Sequence, residues 1–175
     1  VDDEKLIRRI RSGDTGALDK LIRKYYGDIY TYCYRRLGRK SDAEDVTQEV
    51  FLHFCRNFDS YFHRGKCRSF LFAIAHNLCV NAARRKAPLS LEDTEAESLS
   101  CGDGAEERIE MAESVRAALN ALPEEQKEAV LLRFYHDLKV KEIARIMDSG
   151  LSVTKYRLYQ GVKTLSRLLS KEDWL

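Results

Sequence analysis

Apolar residues in this chain recur three and four apart, the spacing of one face of an α-helix, and no stretch alternates convincingly at period two. A chain patterned this way has no strand to pair, so it must bury its stripes helix against helix. The pattern fails once. From Ala87 to Gly104 the residues are acids, serines, Pro88, Gly102 and Gly104 with no sustained period, which reads as a flexible tether. The expected fold is therefore all-α: two small helical domains, residues 1–86 and 106–175, joined by an acidic linker over 87–105. Each flank is of a size that can fold alone, though marginally.

Other classes are excluded on composition. The longest apolar run, Phe70–Ala75, has six residues, against the roughly 20 that a membrane-spanning helix needs. The opening Val1-Asp2-Asp3-Glu4-Lys5 lacks the basic start and apolar core of a secretory signal, so a cytoplasmic protein is expected. The absence of an initiator Met suggests processing or a fragment boundary. Cys33, Cys55, Cys67, Cys79 and Cys101 are odd in number and contain no Cys-x-x-Cys, which favours reduced structural thiols over disulfides. His63 with Cys67, or His76 with Cys79, could share a helical face, but four tetrahedral ligands at finger spacing are missing, and neither metal nor cofactor is expected.

The net charge of +2 hides a layout. Residues 1–86 hold 18 Lys+Arg against 11 acids, 87–113 hold one Arg against nine acids, and 114–175 hold 11 against eight. A basic–acidic–basic order fits nucleic acid or charged partners, and equally two solvated domains on an acidic tether.

Four helices are expected in the first flank. Leu6, Ile7 and Ile10 mark a short one. Ala17, Leu18, Leu21, Ile22, Tyr25, Ile29, Tyr32 and Cys33 carry a long one toward Leu37 and Gly38. Ser41-Asp42-Ala43-Glu44 has capping-box form ahead of a third, which buries Val46, Val50, Phe51 and Phe54. After a loop at Asp59–Lys66, the fourth would bury Phe70, Leu71, Ile74, Leu78 and Ala82. The second flank starts near Glu106 with a helix through Met111, Val115, Ala118 and Leu119. Pro123 suits the first position of the next, followed by Val130, Leu131 and Phe134. A brief helix Val140–Met147, a tight turn at Gly150 and a long helix Leu151–Leu169 then have helix-turn-helix form, which points to DNA.

Three faces carry chemistry. At about 100° per residue, Leu151, Leu158, Val162, Leu165 and Leu169 make the inward stripe of the last helix. Tyr156, Gln160, Lys163 and Arg167 lie opposite, with Val153 nearby and Ser152 and Tyr159 on a flank. Cations there suit phosphates, while Gln and Tyr can reach base edges. In the fourth helix Asn77 and Asn81 sit one turn apart, away from the apolar stripe, and Arg84, Arg85 and Lys86 close it. Just upstream, Phe58, Tyr61, Phe62, His63, Arg64, Lys66 and Arg68 mix rings with cations, as single-stranded nucleic acid requires; Phe58 and Phe70 are better placed in the core. Asp45, Gln48, Glu49 and Leu52 form an acidic stripe on the third helix, which would repel DNA and suits a protein partner.

The run Asp42-Ala43-Glu44-Asp45-Val46-Thr47-Gln48-Glu49-Val50-Phe51 resembles the helix by which bacterial RNA polymerase sigma factors grip the polymerase clamp. Arg68 to Asn77, continued through Arg84-Arg85, resembles the segment that recognises and melts the −10 promoter element. Leu122-Pro123-Glu124-Glu125-Gln126, Glu142-Ile143-Ala144 and Lys155-Tyr156-Arg157-Leu158 resemble the domain that binds the −35 element. Two such domains on a short linker are similar to the extracytoplasmic-function (ECF) subfamily of the sigma-70 family.

The resemblance implies partners and roles. The acidic stripe would dock on the β′ clamp, with the β subunit also engaged, and the linker would thread the polymerase channel as a mimic of a charged strand. Asn77 and Asn81 would read the −10 element, and the Asp59–Lys66 loop would capture a flipped base. Lys155, Tyr156 and Tyr159 would contact duplex DNA at −35; here Lys155 rests on the resemblance. An anti-sigma factor is expected too. The chain departs from the family where Met147-Asp148-Ser149-Gly150 replaces a frequent Leu-Gly-Ile-Pro, where Val153-Thr154 reverses the usual order, and where Tyr156 replaces a commonly small side chain.

Two other classes compete. A stand-alone transcriptional regulator would need neither the acidic stripe nor the ring-and-cation loop. A helical enzyme would need a nucleophile with its base, a phosphate loop or paired carboxylates, and none assembles from this sequence.

Overall fold

The computed structural model describes residues 2–61, 66–86 and 105–172, the side chains of 86, 105–110 and 171–172 excepted. All regular structure among them is helical, in two compact units, Val1–Glu95 and Ala96–Leu175.

The first unit holds α1 (Asp3–Arg11), α2 (Thr15–Leu37), α3 (Lys40–Arg56), a single 3-10 turn (Phe58–Ser60) and α4 (Cys67–Lys86). Local chemistry starts and stops these helices. Asp14 caps α2, its carboxylate accepting the Ala17 amide at 3.1 Å. Gly38 ends it in the left-handed region at φ 75°, donating its N–H to the Tyr34 carbonyl at 2.8 Å. The capping box expected at Ser41 does not form: α3 begins a residue earlier at Lys40, with Arg39 before it, so Ser41 already lies inside the helix.

The core of this unit is aromatic. Tyr32 meets Phe72 edge-on at 5.4 Å, and Phe54 meets Phe58 and Tyr61 edge-on at 5.4 and 5.5 Å. The stripes expected on α1, α2 and α3 are buried except for Leu18, Ile22, Val46 and Ile10, which are half-buried. On α4 the burial is broader than expected, because Cys67, Phe72, Ala75 and Cys79 go in with Leu71 and Ile74, while Phe70, Leu78 and Ala82 are half-buried.

The second unit holds α5 (Ala105–Asn120), α6 (Glu124–Phe134), α7 (Val140–Ile146) and α8 (Leu151–Glu172). Pro123 stands just before α6 instead of in its first position; its carbonyl accepts the Gln126 and Lys127 amides, both at 2.9 Å. Leu119, Leu122, Val130 and Leu131 form one core cluster, with Val115, Leu158 and Leu165 packed against it, and Leu132, Leu138, Ile143 and Ile146 are buried as well. Met111 and Phe134, expected inside, are 71% and 65% exposed.

The inward face of α8 is rotated from the leucine stripe. Thr154 and Gly161 are buried while Leu151 and Val162 are exposed, so the face is Thr154, Leu158, Gly161 and Leu165. Gly161 permits this: a Cβ there would stand 2.8 Å from Val130 Cγ2, so only glycine lets α8 approach α6 this closely.

Candidate nucleic-acid and polymerase interfaces

On α3 the exposed side carries Asp45, Gln48 and Leu52, the last 48% exposed. Glu49 beside them is half-buried and pairs with Arg56 Nη1 at 3.2 Å, so its charge is partly answered within the helix. Opposite, Thr47 is fully buried and donates its hydroxyl to the Ala43 carbonyl at 2.6 Å, which satisfies the one polar group on the inward face. Three polar groups and a leucine thus project from a helix whose other side is fixed by Val50, Phe51 and Phe54. A surface of this kind suits a cationic protein partner with an apolar contact at its centre.

α4 positions the second group. Its inner side sinks into the core, yet Asn77 and Asn81 are exposed one turn apart, and Arg84 and Arg85 are exposed beyond them. Lys66, just before the helix, is exposed as well. Arg68 is held instead: it donates to Asp28 at 2.9 Å and lies 5.3 Å from the Phe72 ring centroid.

Tyr61 corrects the sequence pattern. The pattern offers it as a ring for an unstacked base, but it is 6% exposed, 5.5 Å from Phe54 and 4.7 Å from Phe70 between centroids. Aromatic residues close in sequence found one another before they found solvent. Its carbonyl accepts Arg11 Nη2 at 2.5 Å, and its hydroxyl hydrogen-bonds Cys67. Burial pushes the Cys67 thiol up to about 12 and raises the Tyr61 hydroxyl too, so both stay neutral. Tyr61 therefore fixes the backbone that leads toward 62–65. Phe62 and Arg64, the other candidates here, lie outside the described residues, as does all of the linker except Ala105.

The third group stands on α8. Ser152, Lys155, Tyr156, Tyr159 and Lys163 are all exposed and Gln160 is half-buried; Tyr156 and Tyr159 are exposed to 62% and 63%. The turn that presents them closes as a left-handed cap. Ser149 donates its N–H to the Ala144 carbonyl at 2.9 Å and Asp148 to the Arg145 carbonyl at 3.3 Å, with Asp148 at φ 46°. The left-handed residue of the turn is thus Asp148, a residue type that tolerates positive φ better than most. Thr154 then anchors the helix start, donating to the Gly150 carbonyl at 3.0 Å and lying 2.8 Å from the Ser149 hydroxyl. Arg157, paired with Glu125 at 2.6 Å, ties α8 to α6 and leaves the opposite face outward.

Short helix, turn and longer helix with rings and cations outward define a helix-turn-helix DNA-binding unit. Comparison with known proteins supplies the family. The chain matches sigma-70 region 2 over residues 21–88 and sigma-70 region 4 over residues 112–165. It is 28% identical to the ECF RNA polymerase sigma factor SigW of Bacillus subtilis, over 95% of this chain and 96% of that protein. It is 33% identical to the ECF sigma factor BldN of Streptomyces coelicolor, over 94% of this chain and 65% of that protein. In fold it is similar to CnrH, solved with the cytosolic domain of CnrY, at a TM-score of 0.73 and 21% identity over 98% of this chain and 99% of that one. The same holds for RpoE of Bartonella quintana, solved with the anti-sigma factor NepR, at a TM-score of 0.72 and 17% identity over 87% and 96% of the two chains. The chain belongs to the sigma-70 family and is a sigma factor of the ECF type, a class of transcription initiation factors.

Proposed function

We propose that this ECF sigma factor binds core RNA polymerase through Asp45, Gln48, Glu49 and Leu52, and directs it to promoters through two separate DNA contacts. The first contact is with the melted −10 strand, through Asn77, Asn81, Arg84, Arg85 and Lys66, with Phe62 and Arg64 assigned to it by their chemistry. The second is with duplex DNA at −35, through Ser152, Lys155, Tyr156, Tyr159, Gln160 and Lys163. The observation that carries this reading is on α4: a helix sunk in the core still exposes two asparagines one turn apart, followed by two arginines. Asparagine pairs with base edges, and such a rigid backing is what an unstacked base needs to be held in place.

The functional domains proposed are 1–86 and 106–175, with 87–105 as the tether. The chain performs no catalysis of its own; polymerase supplies it. The work is done in the cytoplasm, where promoters are, and no helix among the described residues is long and apolar enough to cross a membrane. The solved neighbour RpoE, bound to the anti-sigma factor NepR, supports a partner of that kind here. The test is co-purification with core polymerase. Reversing Asp45 and Glu49 to Lys is expected to abolish it while helicity and thermal unfolding stay unchanged; retention at wild-type level would remove this face from the interface.

A further inference from the structure

The start of α8 holds an exposed apolar side chain, Val153, that the contacts assigned above leave unexplained, next to Tyr156, which they include. Val153 is 46% exposed and Tyr156 is 62% exposed, and at a separation of three residues they are neighbours on one helix face. Val153 Cγ2 leans back over the turn, 4.0 Å from where a Gly150 Cβ would stand. Thr154, the adjacent hydroxyl, is fully buried and committed to the Gly150 carbonyl and Ser149. The order Val153-Thr154 therefore turns a methyl pair outward where the reverse order would turn out a hydroxyl. Valine gains nothing for the helix at an exposed position, and it can neither pair with a phosphate nor hydrogen-bond a base.

We infer that Val153, backed by Tyr156, is a specificity-determining residue of the upstream contact and reads the 5-methyl group of a thymine. The inference rests on the reading above, that α8 enters a major groove. Given that, the chemistry is narrow. The base edges in the groove present donors and acceptors at every pair, and the thymine methyl is their one apolar feature. The N-terminal residues of a recognition helix are the ones that reach base edges. The exposed cations Lys155, Lys163 and Arg167 along the same helix hold it against the phosphates and favour a nucleic-acid occupant over an apolar protein surface.

The experiment uses the full chain bound to core polymerase. A promoter pool randomised upstream of a fixed −10 element is selected for binding, and each thymine in the selected upstream element is then replaced singly by deoxyuridine, which lacks only the methyl. At one position the replacement is expected to weaken competition about fourfold, the value of one buried methyl group. Val153→Ser is expected to erase that dependence on the methyl. Loss of binding by deoxyuridine at no position overturns the inference and leaves the patch to a protein partner; so does a Val153→Ser chain that keeps the fourfold effect. If the unsubstituted chain selects no upstream sequence at all, the groove-binding reading itself fails and takes this inference with it.

Discussion

The two helices offered to DNA are built in opposite ways. α4 buries Cys67, Leu71, Phe72, Ile74, Ala75 and Cys79 around much of its circumference and exposes Asn77 and Asn81 in a narrow strip. α8 buries little beyond Thr154 and Gly161, with Leu158 and Leu165 half-buried, and exposes most of its girth. Under the proposed function, the difference follows from what each helix would hold. An unstacked base must be held by side chains on a support that does not yield, whereas a duplex groove admits a whole helix, which has to stand clear of its own domain. The aromatic cluster around Phe54 supplies the rigidity in the first unit. In the second, a glycine contact and the Arg157–Glu125 pair hold the helix by its edge.

This contrast can be broken at its strongest point first. Phe54→Ala removes the ring that Phe58, Tyr61 and Phe70 pack on and is expected to destabilise the first unit by about 3–5 kcal/mol in denaturant unfolding. A loss under about 1 kcal/mol would mean that α4 is not rigidly backed. In the second unit, Gly161→Leu forces a side chain onto Val130 and Gln126, and overpacking of this kind costs about 1–3 kcal/mol. Gly161→Ala is expected to cost less, because about 1 kcal/mol of gained helix propensity offsets part of the clash.

Functional substitutions should separate the helices in kind. Asn77→Ala is expected to weaken discrimination among −10 sequences by on the order of tenfold, with upstream binding unchanged, as judged by transcription from paired promoter variants. Lys163→Ala should do the reverse: a uniform, few-fold loss of upstream binding, and a slope against salt shallower by about one phosphate.

The smallest expected effects depend on pH. Arg9 and the Ala17 amide hold the Asp14 carboxyl below its usual value, so the folded state favours its ionised form. That stabilisation is present above the unfolded-state value near 4 and fades as pH falls through the lowered folded value, and Asp14→Asn should flatten the acid limb. Cys67 acts at the other end. Its thiol is raised by burial from 9.0 to about 12, so the stability it contributes is intact below pH 9 and is lost as pH climbs through that window. Cys67→Ala should lessen this alkaline decline in the first unit, leaving the part that comes from the raised hydroxyls of Tyr25 and Tyr61.

What could be read from the residues alone divides along the same line. The stripes of α2 and α3 were legible because large apolar residues fill them, Leu21, Ile29, Val50 and Phe54 among them. The stripe of α8 was not, because its deepest positions hold Thr154, whose hydroxyl is satisfied within its own turn, and Gly161, whose value is having no side chain. A hydrophobic count sees neither. The exposed faces of α3 and α4 were legible from charged and amide residues opposite an apolar stripe. Tyr61 was not, since its amphipathic ring fits solvent and core alike and only the positions of Phe54, Phe58 and Phe70 decide between them. The positive φ at Asp148, ahead of the turn glycine, was hidden for a related reason: the hydrogen bond from the Ser149 N–H to the Ala144 carbonyl fixes where the cap falls.

The central claim is that one chain works by two distinct grips on promoter DNA once it is seated on polymerase. Run-off transcription with purified core polymerase tests it most directly, on templates altered either at the upstream element or at the −10 element. The account predicts no specific initiation by core polymerase alone and specific initiation when the chain is added. Asn77→Ala should then relax discrimination among the −10 alterations only, and Lys163→Ala should weaken initiation evenly across the series. Failure of the added chain to direct initiation at any template, or both substitutions shifting the same promoter positions, would contradict it.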